Sequence, residues 1–238
     1  MGLSVAMTDI QRRLISLGDQ AVAYHSQRFF KTGIGEYGEG DIFRGIRVPQ
    51  IRYVAKEFRH TSVADVGCLL DSDYHEDRLC AIFILVHHFK KGDAALQKSI
   101  YDLYLKKTDR INNWDLVDSS AEYIVGGYLF DRSRKPLLIL ARSRSLWKRR
   151  ISIMATFHFI RKNDFDDTLC LADILMQDKE DLIHKAVGWM LREIGNRNQK
   201  IAEQFLKQRY SQMPRTMLRY AIEKYSDQRR KQYLSGKV

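Results

Sequence analysis

Proline is scarce in this chain, with three in 238 residues, and so is the alternation of apolar and polar residues that marks half-buried strands. That excludes an all-β sandwich or barrel. The three cysteines, Cys68, Cys80 and Cys170, are odd in number, far apart and without C-x-x-C spacing, which argues against a disulfide framework or a zinc site and for a reducing compartment. Met1–Met7 has no basic leader and no long apolar run behind it, so neither a signal peptide nor a membrane span is expected, and a cytoplasmic location is the default. The histidines show no metal-ligand spacing. His87 and His88 are adjacent, which turns their rings about 100° apart on a helix, so no metal is expected. No serine or cysteine has the setting of a nucleophile, and no cofactor motif is found. The one glycine-rich stretch, Thr32–Asp41, lacks the GxxxxGK[ST] pattern and follows no strand. It is expected to be a structural hairpin or insertion rather than a phosphate cradle.

What is abundant is positive charge and helical periodicity. Forty basic against 29 acidic residues leave +11, which suits a polyanion such as nucleic acid, or an acidic protein. Apolar residues recur at helical spacing almost without interruption, so the class expected is all-α, in one domain or repeat array over residues 1–238. Predicted helices run from Thr8–Ser16 to Asp227–Leu234 and include two long ones, Trp114–Phe130 and Leu146–Arg161. Arg78-Leu-Cys-Ala81, Asp118-Ser-Ser-Ala121, Arg150-Ile-Ser-Ile153 and Lys185-Ala-Val-Gly188 follow one another at intervals of 40, 32 and 35 residues. Those intervals suit paired-helix repeats of the HEAT or armadillo kind. The architecture expected is a curved right-handed solenoid with a concave basic groove, into which Asp118, Arg150 and Lys185 point from successive repeats.

Ile111–Ser120 concentrates the chemistry. Asn113 is placed to cap a helix whose buried stripe is Val117, Ala121, Ile124, Val125 and Tyr128. Asp118 falls at the border of that stripe, one turn from Trp114, which half-buries a carboxylate beside an indole. Asp115, in the first turn, is expected to complement the helix N-terminus. Arg150 lies in line with Met154 and Phe157 and needs an anionic partner, either a phosphate or an acid such as Asp118. Lys185, Trp189 and Arg192 share the face opposite the core residues Val187, Met190, Leu191 and Ile194, and a tryptophan between two cations outside the core reads as a binding surface or a packed rim. The tail from Ser226 to Val238 reads as a solvated basic end.

With these residues in view, the chain resembles the AlkD-like DNA alkylation repair family of HEAT-like-repeat glycosylases, from about Gln27 to Tyr220. The marks are Arg28-Phe29-Phe30-Lys31-Thr32-Gly33, the run Phe43–Arg52, Trp114-Asp115-Leu116-Val117-Asp118, Trp147-Lys148-Arg149-Arg150 and the run Lys185–Glu193. The resemblance implies that Asp118 is the catalytic aspartate, that Trp114 and Trp189 face the lesion nucleotide, and that Arg150 binds phosphate. Lys148, Arg149, Lys185 and Arg192 are expected to grip phosphate alongside it. Phe29 stands where some members have tyrosine, which keeps the aromatic face and removes a hydroxyl.

The implied chemistry is release of cationic N3- and N7-alkylated purines from duplex DNA by a monofunctional, cofactor-free and monomeric glycosylase that holds the backbone instead of pocketing the base. A DNA-binding HEAT protein without catalysis and a scaffold for acidic proteins are the alternatives. An acid in the groove favours the enzyme, because phosphate binding gains nothing from it.

Overall fold

The computed structural model describes residues 5–238, so the expectation of a chain without a leader falls largely outside it. Among the described residues there is no strand, only an isolated bridge between Ile42 and Tyr74. None of the helices is long and apolar enough to cross a membrane. The chain divides into two compact units, Met1–Ile124 and Val125–Val238.

The first unit comprises α1 (Val5–Ile15), α2 (Gln20–Phe29), α3 (Val48–Glu57), α4 (Val63–Leu69), α5 (His75–Lys91), α6 (Ala94–Lys106), a 3-10 turn (Thr108–Arg110) and α7 (Trp114–Asp118). Its centre is α5. The run from Leu79 to Val86 is apolar on nearly every side, which suits a helix enclosed by neighbours, and α1, α3, α4, α6 and α7 all pack on it. Ile10 and Leu14 of α1, Ile51 and Val54 of α3, and Val66 and Leu69 of α4 are at most 1% exposed, each such side chain contributing roughly 1.5–3 kcal/mol of burial free energy. In contrast, α2 buries no residue. It is held by backbone contact at Gly45, whose φ of 81° and whose absent Cβ, which would lie 1.9 Å from the Asp19 carbonyl, admit only glycine.

The second unit comprises α8 (Gly127–Leu129), α9 (Lys135–Ala141), α10 (Leu146–Ala155), α11 (Phe157–Ile160), α12 (Asp166–Leu175), α13 (Asp181–Arg197), α14 (Gln199–Arg209), α15 (Arg215–Ala221) and α16 (Asp227–Ser235). Its centre is α13, with Ile183, Ala186, Val187, Met190, Leu191 and Ile194 forming the buried face. Gly188 lets α15 approach so closely that a Cβ there would meet the Met217 carbonyl at 2.5 Å.

Two of the long helices expected from periodicity are broken. Instead of one helix over Trp114–Phe130, α7 ends at Asp118, and a π-helical turn (Glu122–Gly126) precedes α8. The cause is Ser120: its hydroxyl, fully buried, donates to the Leu116 carbonyl at 2.6 Å and takes the acceptor that its own N–H would use in a regular helix. That N–H bonds Val117 O instead, at 3.1 Å, and tightens the turn. Leu146–Arg161 is likewise divided at Thr156, whose hydroxyl donates to the Ile153 carbonyl at 2.7 Å. Periodicity cannot register either break, because the apolar residues on both sides keep nearly the same spacing.

Candidate active site

Asn113 caps α7 as expected, though it accepts from the Trp114 N–H, at 2.9 Å, and not from a residue further along the turn. Val117, Ala121, Ile124 and Val125 are fully buried, while Trp114 and Asp118 are half-buried. Both line a cleft of about 320 Å³ with Arg52, Phe83, Val86, Lys90, Asp115, Ser119 and Tyr123. Trp114 stacks on Phe30, with ring centroids 5.2 Å apart and planes at 18°. Phe29, 57% exposed, meets the indole edge-on at 5.9 Å. The first unit therefore brings together three of the expected site residues: Asp118, Trp114 and Phe29.

Two cations in the same cleft escaped the sequence reading. The Arg52 guanidinium lies 4.0 Å from the centre of the Phe83 ring, and the Lys90 ammonium 3.6 Å from that of Tyr123. Both cations thus lie over aromatic faces at the wall of the cleft that holds Trp114 and Asp118. The signal was present, since Phe83, Val86 and Lys90 share one face of α5 at helical spacing, but nothing in the chain order ties that face to Trp114.

Asp115 departs from its expected role. One carboxylate oxygen does serve the helix start, accepting from the Leu116 N–H at 2.9 Å. The other lies 2.8 Å from Nε2 of His75, whose Nδ1 is 2.9 Å from Asp41. His75, Glu76, Asp77 and Arg78, four consecutive ionisable residues, are all at most 2% exposed. Every one has partners. Glu76 accepts the backbone N–H groups of Arg44, Gly45 and Ile46 at 2.9, 2.8 and 3.1 Å. Asp77 takes a two-pronged contact from Arg44 at 2.7 and 2.9 Å. Arg78 pairs with Asp41 and donates to the carbonyls of Ser72 and Asp73. The glycine-rich segment is thus a connection that carries Asp41 into this cluster. Burial alone would raise the Asp41 pKa, but hydrogen bonds and charge from His75 and Arg78 outweigh it and hold the carboxyl below its usual range.

In the second unit Trp189 is half-buried off the core face of α13. Its ring lies 6.1 Å from that of Phe157, and its N–H donates to Glu193 at 3.2 Å. Several of the cations expected on phosphate hold partners within the protein. Arg150 is 5% exposed and donates to the Leu182 carbonyl at 2.5 Å. Arg149 grips Asp178 at 2.6 and 3.2 Å and the carbonyls of Ser143 and Arg144. Arg192 pairs with Glu223, and Lys185 with Asp181 at 2.9 Å. Lys148 is half-buried. The acids Asp178 and Glu223 come from outside the motifs that carried the cations, which is why local spacing did not reveal them.

An all-helical chain with an aspartate and a tryptophan one turn apart in an aromatic cleft is the class that these observations define. The sequence pattern of the DNA alkylation repair enzyme family matches residues 10–225, and the chain belongs to that family. Comparison with curated proteins by sequence gives no match. Among solved structures, the fold is similar to a predicted DNA alkylation repair enzyme from Enterococcus faecalis, with a TM-score of 0.69 and 17% identity over 88% of this chain and 97% of that one. It is also similar to AlkD2 from Streptococcus mutans, with a TM-score of 0.53 and 16% identity over 93% and 99% of the two chains.

Proposed function

We propose that this protein is a monofunctional DNA glycosylase that hydrolyses the N-glycosidic bond of cationic N3- and N7-alkylated purines, such as 3-methyladenine and 7-methylguanine, in duplex DNA. The observation that carries the reading is the placement of Asp118 and Trp114 in one cleft, with Arg52 and Lys90 on aromatic supports in the same cleft. Alkylation makes the base a cation and weakens its bond to the sugar. As the base departs with the bonding electron pair, positive charge develops on the deoxyribose, and a half-buried carboxylate stabilises it far better than water does. Asp118 takes that role and orients the attacking water, whose oxygen bonds to C1′. The Trp114 and Phe29 rings offer electron-rich faces and exclude solvent. Arg52 and Lys90 take backbone phosphates, with Lys148 and Lys185 as further phosphate contacts. Lys185, Arg149, Arg150 and Arg192 reach phosphate by exchanging the internal partners they hold.

The reading is tested by incubating the protein with duplex containing 7-methylguanine and assaying free base. Release that Asp118→Asn abolishes or slows supports it. Tight DNA binding with no release overturns it in favour of a non-catalytic DNA-binding protein.

A further inference from the structure

The five residues of α7 cannot hold their own place, since a helix of that length is unstable by itself in water, yet Trp114 and Asp118 are its two ends. What fixes it is the buried charge cluster beside it. Asp41 and Asp115 accept from the two nitrogens of one His75 ring. An ionised carboxylate only accepts, so both nitrogens carry protons and the ring is an imidazolium. Asp41 and Asp115 face His75, and Asp41 also pairs with Arg78. The segment leading into α7 is tied to the same cluster at three places: Asn112 accepts from Arg78 at 3.3 Å, Asn113 donates to Asp41 at 3.1 Å, and Asp115 binds His75. Trp114 sits between two of these anchored residues. Its stacking partner Phe30 also lies 5.0 Å from the His75 ring, and Phe43 stacks on His75 at 4.5 Å.

From this geometry we infer that His75 is a positioning residue for the proposed excision: as a doubly hydrogen-bonded cation it joins the glycine-rich loop to α7 and so sets where Trp114 and Asp118 stand. The inference rests on the glycosylase reading for its effect on rate but not for its effect on Trp114. Around the ring the charged groups are Asp41 from the loop, Asp115 from α7, and Glu76, Asp77 with its partner Arg44, and Arg78 on or against α5; Phe30 and Phe43 present no charge. Burial alone would lower the pKa of His75, but Asp115 and Asp41 push it up to about 9. A folded-state pKa raised above the ordinary 6.5 means that this tie is complete below about pH 6.5 and is lost as pH rises through about 9. At the acid end the depressed pKa of Asp41 keeps its contact with the ring to lower pH.

The test combines ring nitrogen NMR with single-turnover excision. In the wild type at pH 7.5, both His75 nitrogens are expected to be protonated, with a midpoint near 9. His75→Gln is expected to slow excision by on the order of 10²-fold, the cost of a displacement near 1 Å, with DNA affinity changed less than about threefold. Adding Asp115→Asn to His75→Gln should cost little more, because both remove the same tie. If His75→Gln does not fold, Asp115→Asn alone carries the rate test, since it keeps the His75–Asp41–Arg78 contacts; an unchanged rate overturns the inference. A neutral His75 at pH 7.5, or a His75→Gln protein that melts earlier but excises at the wild-type rate once folded, also overturns it. Should the wild type release no base, the glycosylase reading fails by itself. The positioning inference is then decided by NMR and by the Trp114 fluorescence, taken as the difference from Trp114→Phe; His75→Gln leaving that emission unchanged overturns it.

Discussion

The two units use charge in opposite ways. In the first, four consecutive ionisable residues at the start of α5 are buried and interlocked with Asp41, Arg44 and Asp115. In the second, Arg149 with Asp178 is enclosed, but Arg134 with Asp164 and Asp167, Arg209 with Asp173, and Arg229 with Glu203 lie nearer the surface. A surface pair contributes about 0–1 kcal/mol, whereas removing one member of a buried pair leaves an uncompensated charge and costs about 3–5 kcal/mol. Buried charge of this kind is a poor source of stability but a strict source of geometry, because its members meet their partners in one arrangement only. It stands beside the cleft that holds Asp118.

The comparison is broken most directly at Asp41. Asp41→Ala removes the acceptor shared by His75, Arg78 and Asn113 and is expected to cost about 3–5 kcal/mol in chemical denaturation. A loss under about 1 kcal/mol would place the cluster in the same class as the surface pairs. Next in size is Asp118→Asn, which keeps shape and removes charge. Single-turnover release of 7-methylguanine should slow by about 10²–10³, with DNA affinity level or higher. A folded Asp118→Asn protein that excises at the wild-type rate would show that the catalytic carboxylate has been misassigned. Third, Arg52→Ala with Lys90→Ala should reduce the slope of log affinity against log salt by about 2, one for each phosphate no longer neutralised. An unchanged slope removes both from the interface. The smallest effect is expected at Glu203→Gln, which weakens the pair with Arg229 and should shift stability by no more than about 1 kcal/mol, read by thermal or chemical melting.

Much of the site was legible because its signals are local. Trp114 and Asp118 are a helical turn apart, and Val117, Ala121, Ile124 and Val125 are buried behind them as the spacing indicated, although Tyr128, the last of that stripe, is only half-buried. Trp189 off the core face of α13 follows from the same geometry. The internal partners of the cations were not legible, for a different reason. A positive residue in a short motif shows where it is attached but not what it meets, and Asp178, Glu223 and the Leu182 carbonyl lie 29 to 32 residues away from their partners.

The sequence by itself determined the helical class, the family, and the face on which Asp118 and Trp114 lie, since periodicity and motif are properties of neighbours along the chain. Only the tertiary structure decided where the helices break, because Ser120 and Thr156 choose between solvent and a carbonyl according to how they are buried. It alone decided that His75, unremarkable among seven histidines, is the cation between Asp41 and Asp115, which come from 34 residues before it and 40 after. The protonation of an imidazole is set by the acceptors around it, and those are gathered by folding.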